Sequence, residues 1–240
     1  MPALGKPAGM TPLAPVYRRP RLSRTSFGAG PLAALVAVGS VFLLAQAAPT
    51  DDAFTRDPAY KKMVAMNRDV RSSIADIEVH TKVKSFPPMS LTFRGHSYFK
   101  APDRQRVVFD NVPGMIEGMV KDSPSIAPAA LWPQHYHVTV EKLGGGLRTF
   151  HLTAQSPADP ISAPNVTADA KSGLMSRVSF VGRNGSTVSN DLTYMPLGKH
   201  MVVATQSGSA AGKGYKADVT TTFSNYRLNA AVDDAVFTKE

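Results

Sequence analysis

Residues 74–84 read IADIEVHTKVK, and residues 91–99 read LTFRGHSYF. In both stretches an apolar or β-favouring residue alternates with a charged or polar one. Alternation with a period of two is typical of a strand that buries one face and leaves the other in water. Pro87-Pro88 separates the two stretches, because proline cannot continue a strand ladder. The pattern therefore predicts two long, half-buried strands in succession.

Similar strands are predicted along most of the remaining chain. A Lys-Ala-Pro-Asp turn at 100–103 leads into a third strand at 104–109. Further strands are predicted at 136–140, 147–154, 174–181, 186–195, 201–206 and 215–226, with 207–214 as a loop of small residues. No βαβ alternation is present, so we expect a mainly β (α+β) protein, an antiparallel meander that curls into a barrel or half-barrel.

Two segments depart from the strand pattern. Residues 51–72 place Tyr60, Met63 and Val64 at helical spacing, which predicts an N-terminal amphipathic helix. Residues 110–134 contain four prolines, which exclude a central strand, and apolar residues at helical spacing. We expect one or two short helices there, covering the concave face of the sheet as a lid.

Residues 1–47 are predicted to be an export leader. Basic residues come first, no acidic residue precedes Asp51, residues 32–45 are uncharged and largely apolar, and Ala45-Gln46-Ala47 supplies an A-x-A site. This arrangement is typical of a secretory signal peptide cleaved near Ala47. The alternative is an uncleaved membrane anchor, although the apolar run is short of the ~20 residues of a spanning helix. Residues 48–240 would then form one exported domain in the periplasm or cell envelope.

Charge and cysteine content narrow the function classes. The chain carries a formal charge of +9, but five of its 27 basic residues lie in the leader, which leaves 22 basic against 18 acidic residues. This modest excess has no dense basic run, so we expect no nucleic-acid partner. There is no cysteine, which excludes disulfides and a lipidated cysteine anchor. Stability must come from an ordinary apolar core.

Catalytic motifs are not evident in the sequence. The G-x-S-x-G and H-E-x-x-H patterns do not occur, and Gly144-Gly145-Gly146 lacks the Lys-Ser/Thr of a phosphate loop. His135 and His137 offer two imidazoles, but no further ligand follows at metal-site spacing. We therefore expect neither an enzyme nor a cofactor or metal, and favour a binding protein.

Three stretches resemble the LolA/LolB lipoprotein-carrier superfamily. They are GHSYFKAPDRQR at 95–106, DAKSGLMSRV at 169–178, and FSNYRLN followed by VDDAVF over 223–237. Their order matches the family's strand and proline turn, its central hairpin and its closing strand. The resemblance spans roughly residues 55–238. It implies an unclosed β-barrel with helices in its mouth and a cavity for the acyl chains of lipoproteins or other lipids.

The resemblance also suggests partners and lining residues. An inner-membrane donor and an outer-membrane acceptor would exchange the acyl chains of a lipid or lipoprotein through this protein. Flexible methionines and large aromatic side chains suit an apolar cavity. The side chains expected to line it are Phe93, Phe99, Phe109, Met115, Met119, Leu131 and Trp132, followed by Phe180 and Phe223. A strand phase wrong by one residue would exchange the inward set with its neighbours.

Departures from the family pattern leave alternatives open. The family's basic residue before the turn proline is replaced by Ala101, with Lys100 one step earlier and directed to the other face. A soluble or membrane-tethered lipid binder is thus favoured over a strict lipoprotein carrier. The rivals are an envelope sensor or regulatory module of the same fold, a histidine-dependent enzyme, and an inert domain with a filled core.

Overall fold

The computed structural model describes residues 53–84, 88–110, 126–159, 161–182, 185–212 and 215–238. The ten strands within them are β1 (Ser72–Val83), β2 (Met89–Lys100), β3 (Arg104–Phe109), β4 (Tyr136–Lys142), β5 (Leu147–Ala154), β6 (Asn165–Asp169), β7 (Met175–Val181), β8 (Thr187–Leu197), β9 (His200–Gly212) and β10 (Tyr215–Leu228). The helices are α1 (Pro58–Ala65), α2 (Trp132–His135) and α3 (Ala235–Thr238), with 3₁₀ turns at Ala53–Arg56, Ala129–Leu131 and Gly144–Gly146. The predicted leader and residues Met115 and Met119 lie outside these ranges.

The strands form a single antiparallel sheet in the order β3-β2-β1-β10-β9-β8-β7-β6-β5-β4. All neighbours except β1 and β10 are consecutive in the chain, so the predicted antiparallel meander is confirmed. The two edge strands, β3 and β4, do not pair with each other. The sheet is therefore an unclosed barrel. Along the chain, the predicted insert at 110–134 connects the two edge strands.

The end of β9 was predicted wrongly as a loop. Residues 207–211 pair with β8 on one side, and residues 207–212 pair with β10 on the other. A Cβ at Gly208 would overlap the backbone oxygen of Ser189, so only a residue without a side chain fits there. The small residues thus allow β9 to lie close to its neighbouring strand β8. Strand β6 is a further element that the sequence pattern did not predict.

Helix α1 is shorter than the predicted 51–72. Its first turn is capped by Asp57, whose Oδ1 accepts a hydrogen bond from the backbone N–H of Ala59 at 2.8 Å, and Pro58 occupies a first-turn position. It ends because Met66 is extended and Asn67 adopts a left-handed φ of 54°. The amphipathic pattern that continues beyond Ala65 belongs to the chain returning towards β1.

The inner face of the sheet forms the core. Alternate residues of every strand pair point inward in register, as for Val79 opposite Phe93 and Val166 opposite Val178. The buried side chains of the main cluster include Ile77, Val79, Phe93, Phe150, Leu152, Val166, Leu192, Val203, Val219 and Phe223. Tyr60 and Met63 of α1 pack against them. The free energy of this burial, about 1.5–3 kcal/mol for each large side chain, compensates for the absence of disulfides.

A bulge in β10 changes its face pattern. Between Ser224 and Arg227 the pairing with β1 slips, and Asn225 adopts a left-handed φ of 50°. As a result Phe223 and Tyr226, an odd number of residues apart, both pack against the core, with ring centroids 6.3 Å apart. The Tyr226 hydroxyl donates to the carbonyl of Val203 at 2.9 Å.

The C-terminal segment crosses the turn between β2 and β3. Asp234 forms ion pairs with Lys100 at 2.5 Å and with Arg104 at 2.8 Å. The Arg104 guanidinium lies 5.2 Å from the ring centroid of Phe237. Two of the stretches that carry the family resemblance therefore contact each other. In the described part of the chain, no helix has the length and apolar character needed to cross a bilayer.

Candidate ligand-binding site

The candidate site is the concave inner face of the sheet. Part of that face is covered by α1 and by the segment 126–135, which are joined by a hydrogen bond from the Tyr60 hydroxyl to the carbonyl of Ala129. Rings from three elements meet there: the centroid of Trp132 lies 5.6 Å from Phe150 and 6.1 Å from Tyr60. The Trp132 indole N–H donates to the carbonyl of Ala127 at 2.9 Å. Trp132 is 1% exposed, so this part of the inner face is packed by protein side chains.

Helix α1 is attached to the sheet by polar contacts at both ends. At its start Asp57 pairs with Arg148 of β5 at 3.3 Å. The Lys62 ammonium donates to the carbonyl of Lys171, in the turn between β6 and β7. Beyond its end, the side-chain amide of Asn67 donates to the carbonyl of Met201 at 2.6 Å. These contacts all lie at the end of the sheet where β4, β6 and β8 turn back, so α1 closes that end.

Most of the residues expected to line a cavity lie on the inner face, but the extent of their burial differs. Phe93, Trp132 and Phe223 belong to the main core, and Phe109 is half-buried with its ring 6.1 Å from Phe93. Leu131 is 7% exposed.

Two of the predicted phenylalanines belong to smaller clusters. Phe99 is fully buried against Val70, near the end that α1 closes. Phe180 packs with Ile161 and Val188 at the opposite end. The predicted set is thus spread along the whole inner face rather than gathered at one point.

Inward apolar residues near the edges of the sheet form the accessible part of this face, and Phe109 is the one among them that the sequence analysis singled out. These inward apolar side chains are only partly buried, and they are Val83, Leu91, Val107, Phe109, Val138 and Val140. They lie on β1, β2 and the two edge strands. The alternation in residues 74–84, 91–99 and 136–140 marks four of them as inward, but only the tertiary structure distinguishes a covered inward residue from an uncovered one. Apolar surface is therefore left along the edges of the unclosed sheet.

A separate groove of 410 Å³ lies on the outer face over β1, β2 and β10. Its charges are paired with one another. Glu78 accepts from Arg94 at 2.6 Å, and this bond holds the pKa of Glu78 below its usual value. Asp76 accepts from Asn225 at 2.7 Å and from His96 at 2.9 Å, and these bonds lower its pKa. Charged side chains that already hydrogen-bond to one another have few donors or acceptors left for a ligand, so we do not place the site in this groove.

The two histidines considered for metal binding do not form a site. His135 is the last residue of α2 and His137 lies on β4, so the two do not lie on one strand. Both side chains are exposed. Among the described residues, no group of three or more histidines, aspartates and glutamates is arranged to hold a metal ion.

The fold is similar to that of solved structures of other proteins. A structure from Vibrio parahaemolyticus, described as an outer membrane lipoprotein-sorting protein domain, matches at 14% identity and a TM-score of 0.53 over 75% of this chain and 94% of that one. A DUF1329 family protein from Desulfovibrio piger matches at 12% identity and a TM-score of 0.53 over 75% and 95%. The chain has a LolA/LolB-like fold.

The other comparisons add little to this LolA/LolB-like half-barrel. A LolA superfamily protein from Nitrosomonas europaea aligns at 12% identity and a TM-score of 0.48 over 75% of this chain and 96% of that one. No protein-family model matches the sequence, and no curated protein does. At this level of identity the likeness concerns the fold.

Proposed function

We propose that this protein is an exported carrier that shelters the acyl chains of a lipid or lipoprotein inside its half-barrel. The observation that supports the proposal most directly is the row of partly buried, inward apolar side chains along the edges of the unclosed sheet. Uncovered apolar surface on a concave face is the usual feature of a hydrocarbon-binding site.

The binding step requires no covalent chemistry. Each methylene that leaves water for this surface contributes about 0.8 kcal/mol before the costs of rearrangement. Acyl chains would contact the uncovered row first, with Leu91 and Phe109 on one side and Val138 on the other. Phe93 and Phe223 lie deeper and would be reached only if the chains displaced the packing around them.

The partners follow from the same chemistry. A carrier of acyl chains receives its cargo from a membrane-embedded donor and gives it to a second acceptor. For an exported protein these would be an inner-membrane donor and an outer-membrane acceptor. Residues 1–47, with their signal-peptide pattern, would direct the chain to the periplasm or cell envelope. Sequencing the N-terminus of the protein recovered from the envelope distinguishes cleavage near Ala47 from a retained anchor.

The proposal is tested by asking whether lipid accompanies the protein. Native mass spectrometry of protein purified from the envelope, followed by lipid extraction, should detect bound acyl lipid. A fluorescent fatty-acid probe should bind the delipidated protein and be displaced by the extracted lipid. Protein that carries no lipid and does not bind the probe would contradict the proposal.

A further inference from the structure

Polar side chains cross the inner face in a continuous diagonal band. Its members share three properties: they are uncharged, they lie in the sheet's interior, and they are at most 7% exposed. They are Thr81 of β1, Thr221 of β10, Gln206 of β9 and Asn190 of β8. Apolar residues flank the band, because Val79 and Val219 are the inward neighbours of its threonines.

The strand register shows that these four side chains are neighbours. Thr221 pairs directly with Gln206. Val79 pairs with Thr221 and Val219 with Thr81, so the two threonines are diagonal neighbours. Directly paired side chains on one face lie about 5 Å apart at Cβ, and diagonal ones about 7 Å.

Asn190 completes the band across β8. It pairs with Gly208, two residues along β9 from Gln206, which makes Asn190 and Gln206 diagonal neighbours. The Asn190 side-chain oxygen lies over Gly208, in the position that a Cβ would otherwise approach. The glycine therefore leaves room for the amide to lie flat on the sheet.

Thr81 is the member of the band on which the inference rests. Its side chain is 0% exposed, and its Oγ1 has no hydrogen-bond partner among the described residues. A buried hydroxyl without a partner is unfavourable, and such groups in native proteins usually have a functional explanation. A valine would fill the same space without this loss. A hydroxyl in this position is suited to a guest that brings a hydrogen-bond acceptor to the inner face.

We propose that Thr81 donates a hydrogen bond to the carbonyl oxygen of an acyl ester or amide held in the half-barrel. The band carries no charge, so it suits a neutral carbonyl and not an ionised carboxylate, whose burial without a counter-ion is strongly unfavourable. The inference rests on the proposed acyl-carrier function and specifies its ligand. Because Thr81 is fully buried, the guest would first have to displace the side chains packed over it. The hydrocarbon would then lie on the apolar residues that flank the band, with the carbonyl opposite Thr81.

The test uses two ligands that differ only in the carbonyl group. 1-Monolauroylglycerol is an ester, and 1-O-dodecylglycerol is the ether of the same length. Each is titrated against an apolar fluorescent probe bound to the purified protein. We expect the ester to bind about fivefold more tightly, as one net neutral hydrogen bond would give.

Three variants locate the effect. Thr81→Val should remove the preference for the ester, leave the affinity for the ether unchanged, and keep or raise the melting temperature. Thr81→Ser retains the hydroxyl and should retain the preference. Thr149→Val is the control, because the Thr149 hydroxyl is already paired with that of Thr167 at 3.1 Å on the outer face. It should lower the melting temperature and leave the preference intact.

The possible outcomes distinguish a failure of the carbonyl assignment from a failure of the proposed acyl-carrier function. Equal affinity for ester and ether, or a preference that survives in Thr81→Val, would overturn the carbonyl assignment while acyl binding stands. A protein that binds neither ligand nor the probe would overturn both. A Thr81→Val protein with a lower melting temperature and an unchanged preference would mean that the hydroxyl has a structural role only.

Discussion

Gly173 lies directly against the backbone of Met63. A Cβ added to Gly173, in the turn between β6 and β7, would come within 2.7 Å of the Met63 nitrogen. The glycine also has a left-handed φ of 78°. The turn and helix α1 therefore approach each other at a distance that no side chain permits, and the hydrogen bond from Lys62 to the carbonyl of Lys171 lies beside this contact.

We predict that Gly173→Ala destabilises the protein by about 3 kcal/mol, because the strain of a left-handed alanine, about 1 kcal/mol, is added to the displacement of α1. Gly185→Ala is the matched control. Gly185 has the same φ of 78°, but no atom lies within 4 Å of its added Cβ, so we expect a loss of only about 1 kcal/mol. Urea unfolding measures both, and equal losses would show that the contact with α1 is unimportant.

The ion pair between Asp57 and Arg148 gives a second prediction. The two side chains are only 10% and 18% exposed, and Asp57 also caps α1. Asp57→Asn keeps an N-cap but leaves Arg148 without its anion, and we expect a loss of about 2 kcal/mol. Adding Arg148→Met removes the unpaired charge and should restore part of this. Chemical denaturation of the single and double variants checks the order. A double variant less stable than Asp57→Asn would contradict it.

Phe109 and Val108 are adjacent on β3 but point to opposite faces. Phe109 is partly buried on the inner face, whereas Val108 is 40% exposed on the outer face. We predict that Phe109→Ala lowers the affinity for an apolar fluorescent probe about tenfold, since one large side chain contributes about 1.5 kcal/mol or more to apolar burial. Val108→Ala should leave the affinity unchanged. Equal effects would mean that the probe does not use the inner face.

The burial of Tyr136 leads to a prediction for the stability of the protein at alkaline pH. Burial raises the pKa of Tyr136 from 10.0 to about 12, and burial also raises the pKa values of Tyr194 and Tyr226. Above pH 10 the unfolded chain releases phenolic protons that the folded protein retains. Stability is therefore fully present below pH 10 and falls as the pH rises towards 12, by up to about 1.4 kcal/mol per pH unit for each tyrosine.

The Tyr136→Phe variant checks this assignment. It cannot ionise at this position, so its stability should fall less steeply between pH 10 and pH 12 than that of the wild type. The remaining slope would come from Tyr194 and Tyr226. Urea unfolding at pH 8, 10 and 11 provides the comparison, and parallel curves for the two proteins would refute the role of Tyr136.

The sequence predicted those parts of the fold where one face of a strand is wet. Strands β1 and β2 follow clear alternation, and Phe93 and Phe99 are buried on the inner face. Alternation fails at the bulge of β10, where Asn225 brings Tyr226 onto the side of Phe223. It also fails at the end of β9, because glycine and alanine resemble a loop until two neighbouring strands are known to need the space.

The candidate site was less predictable than the fold. Aromatic residues attracted attention through their size, but Trp132 and Phe99 are completely packed by other parts of the chain. The accessible residues Val83 and Leu91 are ordinary members of their strands. Their partial exposure depends on which other parts of the chain pack over each strand, and the alternation of the sequence does not carry that information.

The attachment of helix α1 limits the routes by which a ligand could enter and leave the half-barrel. The helix and the residue Asn67 that follows it contact three separate parts of the sheet, and these contacts close one end of the half-barrel. If the protein carries acyl chains as proposed, a guest would enter and leave between the unpaired edge strands β3 and β4. Donor and acceptor would have to dock in turn at the same opening, so the two would compete for one surface and could not form a three-way complex across the protein.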